Sequence, residues 1–457
     1  MKVRTRFAPS PTGYMHIGNL RTALYNYLFA KHYKGVLILR IEDTDQNREV
    51  EGALKVILET LEHTHLEYDE GPYIQSERLS IYKEYAAKLV ELGGAHYCFC
   101  EEIEDEDPCL NLSKEEIERR INKGEKYTVR QTIPAHQIIS FDDEVYGHIE
   151  VDSDTLNEGI LLKSDGYPTY NFANVVDDHL MGITHVIRGN EYLSSTPKYN
   201  LIYDAFGWEK PTYIHLPPVM KDETHKLSKR NGDASYNDLI EQGYLSDAII
   251  NYIAMLGCYF GEEEILSMDE LIEKFDVNNL SKAPAIFDKD KLEWMNGMYL
   301  RKMPLDEYHS LIKKYYTHLE INDELELSKA LQPRLNVLNQ PNVDEITDFI
   351  NEIYPFDESL YVHRKMKTNC EKSLIVLKEI LPLIDQCDFD ETSLVNLFIK
   401  YAKDNNLKNG QVMYPIRVAL SNKPITPAGA GEIAVILGKE ETIRRLNKAI
   451  EDIEKTR

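Results

Sequence analysis

The first forty residues follow the pattern of a strand, a helix and a second strand. Charged residues alternate with β-forming residues over 2–7, which is typical of a β-strand. Two prolines and a glycine in 8–13 predict a loop, and the apolar residues of 20–28 fall at helical spacing. Residues 36–41 are apolar except for Arg40, as expected of a parallel strand covered on both faces. This order predicts a βαβ unit and hence a doubly wound α/β fold.

The middle of the chain predicts an insertion into this fold. Apolar strand patterns return at 184–187 and 213–216, so the parallel sheet is expected to resume there. Residues 91–150 read differently, because they hold a cysteine cluster, a charged helical stretch at 113–122 and a short strand pattern at 126–132. We interpret these residues as the core of the insertion.

From about residue 236 the pattern is helical. Apolar residues recur at spacings of three and four in 248–257, 305–316, 372–385 and 433–453. No alternating strand pattern follows residue 300. The C-terminal part is therefore expected to be all-α.

Length and composition indicate a globular protein of several domains. The 457 residues are 42% hydrophobic and 28% charged, and a chain of this length forms about two to four domains. The net charge of −25 argues against non-specific binding to nucleic acid. It still permits a local basic groove, since much of the acid is segregated, as in 101–107.

Neither the start of the chain nor its cysteines indicate export. No apolar segment follows the charged residues at the N-terminus, and the longest apolar runs are far shorter than a membrane span. Six cysteines in a chain of this length do not make a disulfide framework. We therefore expect a cytoplasmic protein.

The loop before the first predicted helix has the features of a phosphate site. It ends in His16-Ile17-Gly18-Asn19. A helix N-terminus binds anions, Gly18 permits close approach of a nucleotide, and His16 can donate to phosphate oxygens. A lone histidine and glycine at this spacing are more often ordinary loop residues. The absence of a GxGxxG pattern disfavours a nicotinamide or flavin site.

A second candidate is the basic run Lys226-Leu227-Ser228-Lys229-Arg230, which a glycine turn follows. Such a loop can fold over a polyphosphate and neutralise the leaving pyrophosphate. By itself, a run of this kind is usually solvated surface. Its pairing with the first loop, about 210 residues earlier in the same α/β domain, favours a nucleotide-activating enzyme.

The sequence blocks around these two loops resemble those of bacterial-type glutamyl-tRNA synthetases, which are class I aminoacyl-tRNA synthetases with HIGH and KMSKS motifs. The blocks extend over most of the chain and are RFAPSPTGYMHIGN at 6–19, RIEDTD at 40–45, LKSDGYPTY at 162–170, NVVDDHLMG at 174–182, RGNE at 188–191 and WMNG at 294–297.

The resemblance implies a reaction and its partners. L-Glutamate would attack the α-phosphorus of ATP, with Mg²⁺ bound to the ATP, and release pyrophosphate. The 2′-hydroxyl of the terminal adenosine of tRNA-Glu would then attack the glutamyl adenylate, take the glutamyl group and release AMP. No protein nucleophile is required, so catalysis would rest on positioning and electrostatics. The expected protein is a monomer that does not bind membranes. The alternative is a non-discriminating enzyme that also glutamylates tRNA-Gln.

The resemblance also implies site residues. Arg6 and Arg188 would bind the two carboxylates of glutamate, with Arg6 on the side-chain carboxylate, and Glu42 would bind the ammonium. Ion pairs that only stabilise the fold are the alternative for Arg188, for Glu42 and for Asp45. The full expected set is His16, Lys226 and Lys229 for catalysis; Ser10, His16, Gly18, Asn19, Lys226, Ser228, Lys229 and Arg230 for ATP; Arg6, Ser10, Glu42, Tyr170, Asn174, Arg188 and Glu191 for glutamate; and Thr44, Asp45 and Arg334 for tRNA.

The cysteine cluster is a candidate zinc site. Cys98, Cys100 and Cys109 can supply three thiolates. Some family members complete such a site with a histidine, but Asn111 stands at that position here. Asp105 or Asp107 would have to serve as the fourth ligand, and the alternative is a vestigial site of free thiols.

The resemblance implies a function for each predicted domain of the chain. The predicted fold class is α/β, with a Rossmann-type catalytic domain at 1–90 and 181–235 and an inserted acceptor-binding domain at 91–180. A helical stem-contact domain at 236–305 and an all-α anticodon-binding region at 306–457 would follow. Arg334 is similar to a family arginine that reads the last anticodon base, which would make the enzyme discriminating.

Four rival interpretations share some of these features. A cytidylyltransferase-type enzyme would have the first loop but would need neither the helical C-terminus nor the glutamate blocks. A truncated glutamyl-queuosine enzyme would lack the anticodon region, and a catalytically dead RNA-binding relative would not need His16 or Lys229. Glutaminyl specificity is disfavoured by the sequence at 8–12 and by the helical C-terminus.

Overall fold

A computed structural model describes residues 2–45, 50–101, 107–225, 227, 235–351 and 354–456. The chain forms two compact units, one of residues 1–241 and 246–292 and the other of residues 242–245 and 293–457. Among the described residues, no helix is both long and apolar enough to cross a membrane.

The first unit combines strands and helices. In chain order its elements are β1 (Arg4–Phe7), α1 (Ile17–His32), β2 (Val36–Ile41), α2 (Ala53–His63), β3 (Glu70–Ile74), α3 (Leu79–Glu91), β4 (Ala95–Cys98), α4 (Lys114–Asn122), β5 (Thr128–Gln131), β6 (Ile138–Asp143), β7 (Gly147–Asp152), β8 (Ile160–Leu162), α5 (Tyr170–Leu180), β9 (His185–Gly189), α6 (Thr196–Phe206), β10 (Thr212–Leu216), β11 (Val219–Met220), α7 (Tyr236–Gln242), α8 (Ser246–Ala254), α9 (Met268–Lys274) and β12 (Ala285–Ile286).

The parallel strands of this unit follow the doubly wound order. β1, β2 and β3 pair in parallel in the order β3-β2-β1, and β9 pairs in parallel with β10. Hydrogen bonds between Arg4 and Thr184 place the start of β1 beside β9. The strands therefore lie in the order β3-β2-β1-β9-β10. The chain adds β2 and β3 on one side of β1 and then β9 and β10 on the other side, so the switch point of the doubly wound order lies between β1 and β9. The predicted strands at 2–7, 36–41, 184–187 and 213–216 are confirmed.

The predicted insertion contributes to two sheets. β4, β5 and β8 form an antiparallel sheet of their own. The hairpin of β6 and β7 instead joins the parallel part, because β6 pairs with β10, with Asp143 opposite Tyr213. The boundaries of the four predicted domains stay a prediction.

The second unit is helical. α10 (Lys289–Lys302) begins in the first unit and ends in the second, and the helices that follow are α11 (Leu305–Ile312), α12 (Glu324–Leu331), α13 (Gln340–Thr347), α14 (Cys370–Asp385), α15 (Glu391–Asp404), α16 (Asn409–Ser421), α17 (Ala430–Leu437) and α18 (Lys439–Lys455).

Two details of the helical prediction need correction. The pattern over 433–453 belongs to two helices, because Gly438 has a φ of 84° and ends α17. The helical pattern that begins near residue 236 is also interrupted by β12, which pairs in parallel with β11.

Arg40 explains why a charged residue fits inside β2. The whole of β2 is buried, and the Arg40 side chain is 0% exposed. Its guanidinium donates to Asp178 Oδ1 at 2.7 Å and to Glu42 Oε1 at 3.0 Å. Burial would lower the pKa of Arg40, but Asp178, Glu42 and Asp177 raise it well above its usual value. Arg40 therefore helps these carboxylates to be buried, together with Arg6 on Asp178 and Arg78 on Asp177.

We expect Arg40→Leu to destabilise the first unit by about 3–5 kcal/mol, because buried Glu42 loses its ion-pair partner and buried Asp178 keeps only Arg6. Urea denaturation measures the change. Lys55→Gln is the control, since Lys55 pairs with Glu59 on an exposed helix face and its loss should change stability by less than about 0.5 kcal/mol. Equal stability of the two variants would contradict the proposed role of Arg40.

Candidate active site

His16 caps the N-terminus of α1. Its Nδ1 accepts a hydrogen bond from the backbone N–H of Gly18 at 3.1 Å. Because Nδ1 is the acceptor, the ring proton lies on Nε2, which donates to the carbonyl of Leu227 at 3.1 Å. The predicted phosphate loop is therefore held in place by its own histidine.

The bond to Leu227 joins the two sequence motifs. Ser235, just beyond the second motif, forms a bridge with His16, and the N–H of Tyr236 donates to the carbonyl of Met15 at 3.2 Å. Residues more than 200 positions apart thus meet at the N-terminus of α1. The other residues of the second motif, Lys226, Ser228, Lys229 and Arg230, lie outside the described residues.

A cavity of about 400 Å³ opens at this point. It lies at the carboxyl ends of the parallel strands, where the strand order reverses and where doubly wound folds bind their ligands. Nine of the predicted site residues line it, namely Arg6, Ser10, His16, Gly18, Asn19, Glu42, Tyr170, Arg188 and Glu191.

Asn174, Thr44 and Asp45 are not among the lining residues of this cavity. Asn174 is buried one turn along α5 from Tyr170. Its side-chain amide donates to the Tyr170 carbonyl at 2.6 Å, so it fixes the backbone of a lining residue. Thr44 is buried and its carbonyl accepts from Lys163, whereas Asp45 is exposed. Their predicted roles toward glutamate and tRNA stay predictions.

Asp178 links Arg6, which lines the cavity, to Arg40, which is fully buried. Arg6 Nε donates to Asp178 Oδ1 at 3.1 Å, and the same oxygen accepts from Arg40. Burial opposes the charge of Asp178, but Arg6 and Arg40 hold its pKa below the usual value. Burial raises the pKa of Glu42, against the opposing effects of Arg40 and Arg6. Two lining residues, Arg6 and Glu42, are thus held in place by buried ion pairs.

Arg188 differs from Arg6 in its partners. It is 5% exposed, and its guanidinium donates to His215 Nε2 at 3.1 Å and to Thr196 Oγ1 at 3.0 Å. Its charge also lies over the rings of Tyr192, Tyr199 and Tyr213, at 4.8–5.7 Å. Within the part of the chain that the structure describes, no carboxylate lies within ion-pair distance of it. Arg188 therefore keeps a positive charge that an anionic ligand can neutralise.

Tyr170 and Tyr192 form an aromatic wall of the cavity. Their rings stack at 4.8 Å between centroids, with 28° between the ring planes. Burial raises the pKa of Tyr170 well above its usual value, so its hydroxyl stays protonated. A neutral phenol beside Arg188 can orient a ligand by donating a hydrogen bond.

Comparison with known proteins agrees with this geometry. Residues 2–294 match the family described as tRNA synthetases class I (E and Q), catalytic domain, and residues 291–450 match an anticodon binding domain. The glutamate–tRNA ligase of Clostridium acetobutylicum is 52% identical over 99% of this chain and 99% of its own length. The chain belongs to the glutamate–tRNA ligase family. This confirms the predicted family and the predicted order of an α/β catalytic part and a helical anticodon-binding part.

Two further relatives agree with this assignment. A glutamate–tRNA ligase of Clostridium botulinum is 52% identical, with 99% of both chains covered. The crystal structure of a glutamate tRNA ligase from Elizabethkingia meningosepticum, in complex with its amino acid, has a TM-score of 0.86 and 34% identity. It covers 99% of this chain and 100% of that chain.

Sequence reasoning gave no role to Arg21 and Tyr192, which line the cavity, or to three residues around it. Asp178 lies within a recognised block but received no role, although two adjacent acids in the apolar helix α5 are a visible sign of buried partners. His215 and Asp143 lie on separate strands, β10 and β6, and only the folded sheet brings them beside Arg188.

Arg334 lies in the second unit, in the turn after α12. It is exposed, and its guanidinium donates to the carbonyl of Ala330 at 3.2 Å. An exposed arginine with one backbone partner can reach a ligand, but its predicted role in reading the anticodon stays a prediction.

The cysteine cluster follows β4. The ligand atoms of Cys98, Cys100, Asp107 and Cys109 all lie within 4.8 Å of one another. Asp107 Oδ1 accepts from the N–H of Cys109 at 2.8 Å, and its Oδ2 contacts His96 Nε2 at 2.9 Å. Asp105, the other predicted fourth ligand, lies outside the described residues. These donors fit the tetrahedral set that zinc prefers.

His16 should have a structural role separate from chemistry, which two variants can distinguish. His16→Ala removes the N-cap and should cost about 1 kcal/mol of stability, whereas His16→Asn keeps a side-chain acceptor and should cost a few tenths at most. Urea denaturation compares the two variants. Equal stability losses would show that the bond to Gly18 does not cap α1.

Proposed function

We infer that the protein ligates L-glutamate to tRNA-Glu at the expense of ATP, through a glutamyl adenylate. The observation that carries this inference is the meeting of both phosphate motifs at one cavity, through the bond from His16 to Leu227. That cavity also holds Arg6, Arg188 and Glu42, which match the two carboxylates and the ammonium of glutamate.

ATP would bind over the N-terminus of α1. The first-turn N–H groups and the helix dipole favour phosphate there, and Ser10, Gly18 and Asn19 line the approach. His16 would donate to the α-phosphate from Nε2, in exchange for its bond to the Leu227 carbonyl, and Mg²⁺ bound to ATP would stabilise the leaving pyrophosphate. We assign Lys226, Ser228, Lys229 and Arg230 to the same phosphates on the sequence resemblance alone.

Glutamate would bind between the two arginines. Asp178 holds Arg6 through Nε, which fixes the direction of its guanidinium toward the side-chain carboxylate of the substrate. Arg188 would take the other carboxylate. Glu42 would accept from the ammonium, Tyr170 would add a neutral hydrogen bond, and Glu191 would orient the site or meet the ribose.

This arrangement accounts for selectivity by charge. Glutamine would place a neutral amide against the terminal N–H groups of Arg6, and losing charge-assisted hydrogen bonds at such buried donors is a large penalty. Aspartate is one methylene shorter and would be rejected by only about 1–3 kcal/mol. The pocket should therefore reject glutamine more strongly than aspartate.

tRNA contacts are assigned to Thr44 and Asp45 near the cavity and to Arg334 in the helical region. If Arg334 reads the last anticodon base, the enzyme discriminates between tRNA-Glu and tRNA-Gln. The monomeric state and the cytoplasmic location stay predictions from the sequence.

Aminoacylation with separated substrates tests the function. We expect charging of tRNA-Glu with glutamate, no charging with glutamine, and at least about a hundredfold lower kcat/KM for tRNA-Gln. Arg334→Gln should narrow the difference in kcat/KM between tRNA-Glu and tRNA-Gln, because it removes the proposed base contact.

Arg301→Gln is the matched control, since Arg301 contacts Asn336 near the same turn and has no proposed role in reading the anticodon. Efficient glutamylation of tRNA-Gln by the unaltered protein would show a non-discriminating enzyme. Failure to use glutamate with either tRNA would refute the function itself.

A zinc ion is the second part of this proposal. Cys98, Cys100 and Cys109 would bind it as thiolates, and Asp107 would be the fourth ligand in place of the family histidine. His96 and the N–H of Cys109 already orient the Asp107 carboxylate, as ligand-supporting residues do in zinc sites. The ion would have a structural role in the inserted region.

Metal analysis tests the zinc site directly. We expect about one zinc per chain in the purified protein, much less in Cys109→Ser, and a normal content in Cys387→Ser, whose cysteine lies outside the cluster. A chelator should lower the thermal midpoint of the unaltered protein but not that of Cys109→Ser. Zinc well below one per chain in the unaltered protein would show that the cluster is vestigial.

A further inference from the structure

Three side chains from neighbouring strands form a buried line behind the cavity. Arg188 on β9 and His215 on β10 are direct partners in the parallel register, and Asp143 ends β6 on the other side of β10. His215 Nε2 lies 3.1 Å from Arg188 Nε, and His215 Nδ1 lies 2.7 Å from Asp143 Oδ2. His215 is 0% exposed, Asp143 3% and Arg188 5%. The line thus ends at the arginine that faces the cavity.

The hydrogen bonds allow only one arrangement of the His215 ring. The Asp143 carboxylate can only accept, so His215 Nδ1 carries the proton and donates it. Nε2 is then the lone-pair acceptor for Arg188 Nε–H. Burial lowers the pKa of His215 to about 4, although Asp143 acts against this, so the ring is neutral at physiological pH. A neutral ring can hold the arginine without adding a competing charge.

Asp143 is itself fixed by the backbone. Its Oδ1 accepts from the N–H groups of Val145 and Tyr146 at 3.0 and 2.8 Å, and its Oδ2 also accepts from the N–H of His215 at 3.1 Å. The carboxylate therefore stays in place even when the His215 ring is changed. This makes Asp143 the anchor and His215 the link to Arg188.

His215 is fully buried and is not among the residues that line the cavity, so it would act through Arg188. Its Nε2 faces Arg188, and Thr196 Oγ1 accepts from Nη2 on the same edge of the guanidinium at 3.0 Å. Two neutral acceptors thus fix Nε and one terminal nitrogen, which leaves the other terminal nitrogen, Nη1, for a ligand.

We propose that Asp143 and His215 are positioning residues that aim Arg188 at a carboxylate of the amino-acid substrate. This inference rests on the proposed function, since it takes Arg188 to be a glutamate-binding residue. The residues would act on the affinity for glutamate and not on ATP or tRNA, because the hydrogen bond from Arg188 to His215 joins them to the cavity lining.

A pair of amide substitutions separates positioning from folding. The Gln side chain in His215→Gln places its carbonyl near the former Nε2 and can still accept from Arg188. The shorter Asn side chain in His215→Asn can donate to Asp143 but does not reach Arg188. We expect His215→Asn to raise the KM for glutamate about tenfold or more, since a buried charged donor loses its partner. His215→Gln should raise it no more than about threefold, and the KM for ATP should stay near that of the unaltered protein in both variants.

Asp143→Asn provides an independent test should His215→Asn fail to fold. Its amide can donate to Nδ1, which moves the ring proton to Nε2, where it opposes the N–H of Arg188. We expect a rise in the KM for glutamate similar to that of His215→Asn. His185→Gln is the control, because His185 lies on β9, the strand of Arg188, but contacts Thr184 and Phe29 instead of Arg188.

The measurements are tRNA-Glu aminoacylation at varied glutamate and at varied ATP, together with thermal denaturation of each variant. A selective rise in the KM for glutamate, relieved in His215→Gln, supports the positioning role. Unchanged kinetics in both His215 variants would overturn it. Equal rises in the KM for glutamate and the KM for ATP, in proportion to the loss of stability, would overturn it as well. Lack of glutamate-dependent charging by the unaltered protein would instead refute the proposed function, independently of these variants.

Discussion

The buried ion cluster around Arg40 is the interaction on which the catalytic unit depends. β2 has no exposed face, so any charge within it must be paired inside the protein. Arg40 meets this condition through Asp178 and Glu42, and Asp178 also binds Arg6. The same contacts that make the strand possible therefore fix two of the proposed substrate-binding residues. Fold stability and site geometry share one set of atoms here, which explains why a charged residue lies in an otherwise apolar strand.

The two arginines of the cavity are held by different physical means. Arg6 is fixed by a carboxylate, so its charge is balanced before any ligand arrives. Arg188 is fixed by an imidazole, a hydroxyl and three aromatic rings, which hold it in place without cancelling its charge. Burying such a cation is unfavourable for folding, and that cost is offset when an anion binds. The difference leaves Arg188 as the arginine whose charge a substrate carboxylate would neutralise, and it makes the neutrality of His215 important.

Local patterns in the sequence predicted most of the catalytic fold. The βαβ unit, the later parallel strands and the helical C-terminus follow from spacing that neighbouring residues determine, and the structure contains them. The nine lining residues lie in blocks that the family resemblance identified. Gly438 was missed as a helix break because the apolar spacing continues across it, although its backbone conformation does not. Position within a regular pattern was thus predictable, whereas interruptions of that pattern were not.

Contacts between distant strands account for what the sequence could not predict. Nothing near Asp143 or His215 in the chain indicates a role at the site, since their pairing depends on the register of β6, β9 and β10. The attachment of the β6–β7 hairpin to the parallel sheet depends on the same register. The sequence analysis treated 91–180 as one insertion and therefore did not predict it. The fourth zinc ligand was left open for a related reason, because only the fold shows that Asp107 approaches the three thiols.

The net charge of −25 is misleading for the same reason. It sums surface carboxylates, which water and salt screen, with buried groups, which act at short range in a poorly polarisable interior. The cavity is lined by Arg6, Arg21 and Arg188 against two acids, Glu42 and Glu191. Arg21 is buried as well, and its guanidinium donates to the backbone carbonyls of Leu256 and Pro217, so its charge is not balanced by an ion pair among the described residues. An acidic protein can therefore present a locally positive site to anionic substrates, because the field inside a cavity depends on its nearest fixed charges and not on their sum over the chain.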